Sequence, residues 1–282
     1  SIIALAKKRP VNSKIRYHIL WTLPYQEKNV LIGKISSFIN TRLFKKIDEF
    51  AHIYIGYPLY TRYIPASYKG NIIYDCMDNY EFLYPDSKRV NILIEQETQL
   101  ILRCNILIAS SALLQKKLNK IAGFDKSILV RNGTNVSHVH AIKAPVVKTR
   151  YHIGYIGTIS DWLDIHLLEY SLEVMQNIEY HLIGPVHYKE SLNSNLTFHG
   201  SCPHEKLWKA IMDYDCLIMP FCVNDITIYV DPVKLYEYIT FGKCIISIYY
   251  PEIERFKDFV YFYRNAREYI QLLLKLIDTG FP

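Results

Sequence analysis

Hydrophobic and polar positions follow two periodicities along this chain, which predict strands and helices in turn. Short apolar runs bounded by Pro, Gly or Asn predict buried strands, and apolar positions three or four residues apart predict helices. The strands predicted before residue 132 are His52–Tyr57, Asn71–Asp75, Asn105–Ala109 and Ser127–Val130, and the helices are Lys88–Cys104 and Leu113–Ile121. This order is typical of an α/β fold with mainly parallel sheets.

The pattern lapses between Asn132 and Arg150 and then begins again. The later predicted strands are Tyr151–Ile156, Ile178–Ile183, Leu196–His199 and Cys216–Pro220, and the helices are Trp162–Gln176, Pro203–Asp213 and Asp231–Phe241. We therefore predict two domains, residues 1–140 and 141–282. A ligand is expected in the cleft between them, at the carboxyl ends of the strands.

The segment VDPVKLYEYITFGK contains the clearest candidate site. Asp231 is predicted as the N-cap, Pro232 as the first helical residue and Gly242 as the residue that follows the helix. Lys234 then lies in the first turn, where free N–H groups favour an anion, and Glu237 lies on the same face. A cation for a diphosphate and a carboxylate for two ribose hydroxyls would form a nucleotide site. An ordinary amphipathic helix with an ion pair is the alternative.

A second candidate is the segment HIGYIGTISDW, in which Gly157 and Thr158 follow a predicted strand. Glycine at this point lets the backbone approach a phosphate closely. The full G-x-G-x-x-G pattern is absent, so a tight strand-to-helix turn is the alternative.

Two further motifs are interpreted as structural. Asp213-Tyr-Asp215 resembles a metal-binding D-x-D motif, but it spans a helix end and the start of a strand, so Asp213 is predicted as a turn residue. His138 and His140 lie in the predicted linker without a Cys or carboxylate that would complete a metal site.

Four ordered segments resemble the donor-binding domain of GT-B glycosyltransferases, especially bacterial enzymes of the teichuronic acid and xanthan type. They are IGYIGTISDW, YHLIGP, LTFHGSCPHEKLWKAIMDYDCLIMPF and DPVKLYEYITFGKCIIS. The segments IIYDCMDNY and LVRNGTN resemble the end of the acceptor domain. The resemblance implies an α/β GT-B fold of two Rossmann-like domains facing a cleft, the N-terminal one shortened.

The resemblance also implies the activity and the donor site. A sugar would pass from a nucleotide sugar, with a UDP-sugar favoured, to a glycan or lipid-linked acceptor in surface polysaccharide synthesis, with no metal or separate cofactor. Glu237 would hold the ribose and Lys234 the diphosphate. The other implied donor-binding residues are the phosphate loop and the base-reading turn, Gly157, Thr158, Ser201, Cys202 and Pro203. Tyr229 is included although many members have Glu there, so retention or inversion stays open.

In the first domain, Asp75 and Asp78 flank the end of a predicted strand. An inverting transfer needs a base near the acceptor hydroxyl, and a carboxylate is a usual choice. The resemblance to exopolysaccharide enzymes implies Asp78 as this base, because the corresponding aspartate lies past the strand, where it can face the donor, and Asp75 is the second candidate. The alternative is that both residues only stabilise the turn.

Composition and charge limit the class of protein and the kinds of partner. The 282 residues are 50% hydrophobic and 21% charged, which excludes disorder. Residues 1–50 have ten basic and three acidic side chains, whereas the remainder has 23 basic and 24 acidic ones. The basic residues 7–46 predict either contact with an anionic membrane or a solvated surface. No nucleic-acid-binding motif accompanies them.

The apolar runs are shorter than the ~18 residues of a membrane span, and six cysteines are scattered singly. We therefore expect a reduced, cytoplasmic protein that is peripheral on the inner face of the plasma membrane. Two other functions stay open, a sugar-nucleotide epimerase of GT-B architecture and a non-catalytic nucleotide- or glycan-binding module.

Overall fold

The structure is a computed structural model, and it describes residues 29–44, 52–83, 87–134, 148–187 and 193–282. The helices are α1 Val30–Phe44, α2 Ser87–Arg103, α3 Ala112–Ala122, α4 Ile165–Val174, α5 His204–Ile211, α6 Val233–Thr240 and α7 Ala266–Thr279. The strands are β1 Ile53–Ile55, β2 Ile72–Cys76, β3 Ile106–Ala109, β4 Ser127–Leu129, β5 Tyr151–Ile156, β6 Ile178–Ile183, β7 Leu196–Gly200, β8 Cys216–Met219, β9 Cys244–Ile248 and β10 Tyr261–Tyr263.

These strands form two separate parallel sheets. The first sheet has the order β1-β2-β3-β4, and the second has the order β10-β9-β8-β5-β6-β7. Counted from its own first strand, the second sheet therefore reads 3-2-1-4-5-6, the order of a doubly wound nucleotide-binding fold. Its strand order reverses between β5 and β8, and ligands of such sheets bind beyond the carboxyl ends of the strands at that point.

The predicted strands agree with the observed ones to within two residues at each end, and the α/β class is confirmed. Helix α4 begins at Ile165, three residues later than predicted, because Asp164 caps it by accepting from the Leu167 N–H at 2.9 Å. The structure also contains α1, α7, β9 and β10, which the hydrophobic pattern did not predict. The predicted domain boundary at residue 140 lies outside the described residues.

Tyrosine side chains fill much of both cores. The fully buried ones are Tyr63, Tyr74, Tyr151, Tyr155, Tyr180, Tyr238, Tyr250, Tyr263 and Tyr269. A buried hydroxyl requires a hydrogen-bond partner, and Tyr180 has two, at 2.7 Å from both Ser171 Oγ and Tyr269 Oη. Tyrosine rings therefore supply apolar area to both cores, and the Tyr180 hydroxyl also joins neighbouring elements. The buried Tyr263 hydroxyl has no hydrogen-bond partner among the described residues.

Asp231 does not cap α6, which corrects the prediction. Pro232 occupies the N-cap position without a side-chain hydrogen bond, and the helix begins at Val233. The Asp231 carboxylate is buried, where it accepts from the Asn132 N–H at 2.7 Å and pairs with Arg255. An unpaired buried carboxylate costs more free energy than an uncapped helix end. The Asp231 side chain therefore points toward its distant partners rather than toward the start of α6.

A second buried carboxylate, Glu252, completes this arrangement. Its Oε2 accepts from the Ala112 N–H at the start of α3 at 2.9 Å, and its Oε1 pairs with Arg131 and Arg255, both at 3.0 Å. We refer to Arg131, Asn132, Asp231, Glu252 and Arg255 as the inter-sheet ionic cluster. Two carboxylates are balanced by two guanidinium groups, and the partners come from both sheet units, so the cluster joins them.

Replacing Asp231 by Asn tests the cluster. The substitution removes one of the two buried carboxylates that pair with Arg255, Glu252 being the other, and breaking a buried ion pair costs about 3–5 kcal/mol. We expect Asp231→Asn to lower the free energy of unfolding by about 3 kcal/mol in urea denaturation. The matched control is Asp213→Asn, in the exposed turn after α5, which should change stability by less than about 0.5 kcal/mol. Equal losses in both variants would contradict the assigned role of the cluster.

None of the helices in the described ranges combines the length and the apolar character that a membrane crossing requires.

Candidate nucleotide-binding site

The candidate site forms where the strand order of the second sheet reverses. Gly157 directly follows β5, and its N–H donates to the Ile183 carbonyl at 2.8 Å. Its φ of 151° is a conformation that residues with a side chain rarely adopt. A Cβ atom at this position would lie 2.0 Å from Lys234 Cε. The structure therefore brings Lys234 directly over the predicted phosphate loop, and only glycine leaves room for it.

Lys234 is the second residue of α6, so its charge adds to the free N–H groups of the helix start. Its Nζ lies 5.9 Å from the ring centre of Tyr155 and 5.6 Å from that of Phe221. Burial lowers the pKa of Lys234, and the charge of Glu237 opposes this effect. A half-buried cation of this kind gains much from an anionic ligand that replaces its missing solvation.

Glu237 lies one turn further along α6 and faces the predicted base-reading turn. Its Oε1 is 3.6 Å from Nε2 of His204, the first residue of α5. Ser201, Cys202 and Pro203 immediately precede His204, and Pro203 is the N-cap of α5. The turn, Glu237, Lys234 and Gly157 thus line one end of the second sheet.

Three residues of this site were missed from the sequence. Tyr155 lies within a predicted strand and Phe221 directly after another, and only their position beside Lys234 shows their contribution. His204 directly follows the predicted turn, so its location was available from the sequence, but its pairing with Glu237 was not.

The predicted roles of Thr158 and Tyr229 stay predictions. The Thr158 carbonyl accepts from the Tyr155 hydroxyl at 3.1 Å, which fixes the loop after Gly157. Tyr229 lies in a short 3-10 helix, Thr227–Tyr229, and packs against the core of the first sheet. Its ring therefore contributes a contact between the two sheet units.

The two candidate bases differ in their surroundings. Asp75 lies within β2 and accepts from the Tyr54 hydroxyl, which raises the pKa of Tyr54 to about 12. Asp78 lies two residues beyond β2, and its side chain carries no comparable hydrogen bond among those described. Asp78 is exposed at the surface, yet desolvation by the surrounding protein raises the pKa of its carboxyl. These observations favour Asp78 over Asp75 as a proton acceptor.

A buried polar network holds the loop that carries Asp78. Asn79 is buried, and its Oδ1 accepts from Lys117 Nζ at 2.6 Å. Lys117 also pairs with the buried Glu97 at 3.2 Å, and Glu97 accepts from the Tyr74 hydroxyl at 2.7 Å. Glu97 lies within the apolar face of α2. A charged residue at such a position indicates a buried polar contact, but the periodicity does not show which residues take part in it.

The D-x-D motif lies between the end of α5 and the start of β8, as predicted. Asp213 lies in the turn after α5, and Asp215 accepts from the His152 N–H at 2.9 Å and pairs with Lys148. His138 and His140 lie outside the described residues.

Two parallel sheets, the second wound in the 3-2-1-4-5-6 order, define the GT-B fold, and comparisons with known proteins confirm the resemblance. The chain is 28% identical over 216 residues to TuaH of Bacillus subtilis (strain 168), which is assigned as a glycosyltransferase of teichuronic acid biosynthesis; the match covers 68% of this chain and 54% of TuaH.

Solved structures agree on the fold. TarM superposes with a TM-score of 0.65 at 12% identity, over 86% of this chain and 52% of TarM. Anabaena HepE in complex with UDP-glucose gives 0.58 at 13% identity, over 90% of this chain and 67% of HepE. No family model matches the sequence. The chain spans about half the length of TuaH and of TarM.

Replacing Gly157 by Ala tests whether Lys234 and the loop form one anion site. The new methyl group would displace Lys234 Cε, 2.0 Å away, so the cation would leave its place over the loop. We expect Gly157→Ala to weaken UDP binding at least about tenfold, measured by calorimetry. Gly133→Ala is the control, because a Cβ at Gly133 meets no atom within 4 Å. Unchanged UDP affinity in a folded Gly157→Ala variant would argue against the site.

Proposed function

We propose that this chain transfers a sugar from a nucleotide-sugar donor to a glycan or lipid-linked acceptor in the synthesis of a bacterial surface polysaccharide. The observation that carries this proposal is the position of Lys234 over Gly157 at the start of α6, with Glu237 one turn later. The similarity to TuaH supports the same class of reaction.

The donor half of the site suits the departure of a nucleoside diphosphate. Negative charge develops on the leaving phosphate during transfer, and Lys234 together with the N–H groups of the α6 start would offset it. Because these groups supply the positive charge, we propose that the transfer step requires no metal ion. Glu237 would accept hydrogen bonds from the ribose hydroxyls, and the turn Ser201–Pro203 would contact the base.

UDP is the nucleotide that we propose for the donor. HepE was solved with UDP-glucose, and a mutant of S. aureus TarM was solved with fondaparinux, α-GlcNAc-glycerol and UDP. The nucleotide sugar is a substrate in this proposal, and no separate cofactor takes part.

Asp78 is the proposed base for an inverting transfer. Its carboxylate would take the proton of the acceptor hydroxyl as that oxygen attacks the anomeric carbon and the diphosphate leaves. The position of Asp78 after β2, on a loop held by the buried Asn79, supports this role.

Turnover of a panel of nucleotide sugars tests the activity and the base together. We expect the protein to release free sugar slowly from one UDP-sugar, and Asp78→Asn to lower kcat at least about 100-fold while UDP affinity stays unchanged. Because the pKa of Asp78 is raised, kcat/KM of the unaltered protein should fall as the pH decreases through that pKa, where the base becomes protonated.

Asp75→Asn is the comparison variant and should keep most of the activity. Normal turnover in Asp78→Asn would remove Asp78 from the mechanism. Epimerisation of the donor would indicate the sugar-nucleotide epimerase, and tight UDP binding without turnover of any donor would indicate the binding module.

We propose further that the N-terminal region contacts an anionic membrane surface. Most of the basic residues within 7–46 lie outside the described residues. In α1, however, Lys34 is exposed beside large apolar side chains, with Leu31 68% and Phe38 69% exposed. Exposed apolar groups next to cations are typical of interfacial helices.

Vesicle sedimentation tests the membrane contact. Neutralising Lys7, Lys8, Arg9, Lys14 and Arg16 to Gln should weaken binding to phosphatidylserine vesicles, since each charge near the surface contributes about 1 kcal/mol. The control replaces five basic residues of the second half, Lys206, Lys209, Lys257, Arg267 and Lys275. Equal binding by both variants would exclude the N-terminal region as the contact.

A further inference from the structure

Two histidines and a glutamate form a cluster on the second sheet, away from the nucleotide site. His152 of β5 pairs directly with Glu179 of β6, and His181 lies two residues further along β6 on the same face. His152 Nδ1 is 3.4 Å from Glu179 Oε2, His181 Nε2 is 3.8 Å from the same oxygen, and the two nitrogens are 2.9 Å apart. One atom from each side chain therefore points to a common centre.

These separations match the ligand spacing of a tetrahedral metal ion. Zinc binds imidazole nitrogen and carboxylate oxygen at about 2.0–2.1 Å, which places adjacent ligand atoms about 3.3 Å apart. We propose that His152, Glu179 and His181 bind a divalent transition metal ion of the zinc type, with water in the fourth position. Imidazole and carboxylate donors together favour zinc-type ions over calcium or magnesium.

Outer contacts orient two of the three proposed ligands, His181 and Glu179. His181 Nδ1 lies 3.0 Å from His199 Nε2 on the neighbouring strand β7, so its second nitrogen can donate outward while Nε2 is left to the metal. Glu179 uses its other oxygen, Oε1, to pair with Arg150. Such second contacts on ligating histidines and carboxylates are the usual support of a metal site.

Packing fixes the central imidazole in place. The His181 ring stacks on Tyr214, with ring centres 4.9 Å apart and planes 11° from parallel. Gly154, which pairs with His181 across the sheet, leaves room for this stack, because a Cβ there would lie 2.4 Å from the Tyr214 ring.

The cluster is open to solvent and separate from the proposed transfer site. The side chains of His152, Glu179 and His181 are 35%, 21% and 16% exposed, so an ion can enter and water can complete its coordination. His152 is the second residue of β5, whereas Gly157 follows the last residue of that strand. A bound ion would connect β5 to β6 and stabilise the sheet without taking part in the transfer.

Zinc titration of the tag-free full chain by calorimetry tests the site. We expect one Zn²⁺ per chain at this cluster, and we expect His152→Ala and His181→Ala each to weaken its binding at least about tenfold. Bound zinc should also raise the thermal unfolding temperature of the wild type and leave that of the double variant unchanged.

Two controls distinguish the cluster from other histidines. His166→Ala removes an exposed histidine that lies 3.7 Å from Glu169 and has no third donor within the described part of the chain, so zinc affinity should stay unchanged. A His138→Ala, His140→Ala variant should likewise keep the site. Cobalt substitution reports the geometry, and the intense visible absorption of four-coordinate Co²⁺ is expected for the wild type only.

The proposal is overturned if the His152→Ala, His181→Ala double variant binds zinc as tightly as the wild type. It is also overturned if binding is lost with His138 and His140, or if bound Co²⁺ gives only the weak spectrum of six-coordinate ions. Thermal unfolding without metal confirms that each variant is folded before these comparisons are made.

Discussion

The arrangement of this protein depends on the burial of two carboxylates between its sheets. Asp231 and Glu252 cannot stay ionised in a protein interior without cations and N–H donors. These partners come from the end of the first sheet unit, from the start of α3 and from Arg255. Asp231 also lies two residues before α6, so the cluster that joins the sheets anchors the chain directly ahead of that helix. Lys234, over Gly157, is the second residue of the same helix.

Each half of the proposed active site rests on buried polar contacts of its own. In the second sheet, the glycine loop, the aromatic rings beside Lys234 and the start of α6 form one anion-binding end. In the first sheet, Glu97 and Lys117 hold Asn79 and with it the loop of Asp78. The contacts among Asn79, Lys117 and Glu97 restrict the movement of this loop, because breaking them would leave buried polar groups unpaired. A transfer reaction benefits from this rigidity, since both substrates must meet in one geometry.

The second sheet separates two kinds of chemistry along its strands. Its carboxyl end has loops and a helix start, where backbone N–H groups are free to bind an anion. Near its amino end, strand pairing is regular, and side chains on neighbouring strands lie close enough together to bind a single ion. A nucleotide suits the first end, whereas the adjacent His152, Glu179 and His181 suit a small cation. Parallel strands produce this division because their carboxyl ends all lie at one edge of the sheet and their amino ends all lie at the opposite edge.

The sequence by itself determined the α/β class, the four strands of the first sheet, four of the six strands of the second, the glycine loop and the spacing of Lys234 and Glu237. All of these follow from periodicity and from residues close together along the chain. Only the tertiary structure decided the role of Asp231, because its partners lie 24 and 99 positions away and their charge outweighs a local capping preference. The same holds for the histidine cluster, since His152 and His181 meet only through the register of β5 and β6. Local patterns fix which elements form, whereas burial and register decide which distant side chains share a site.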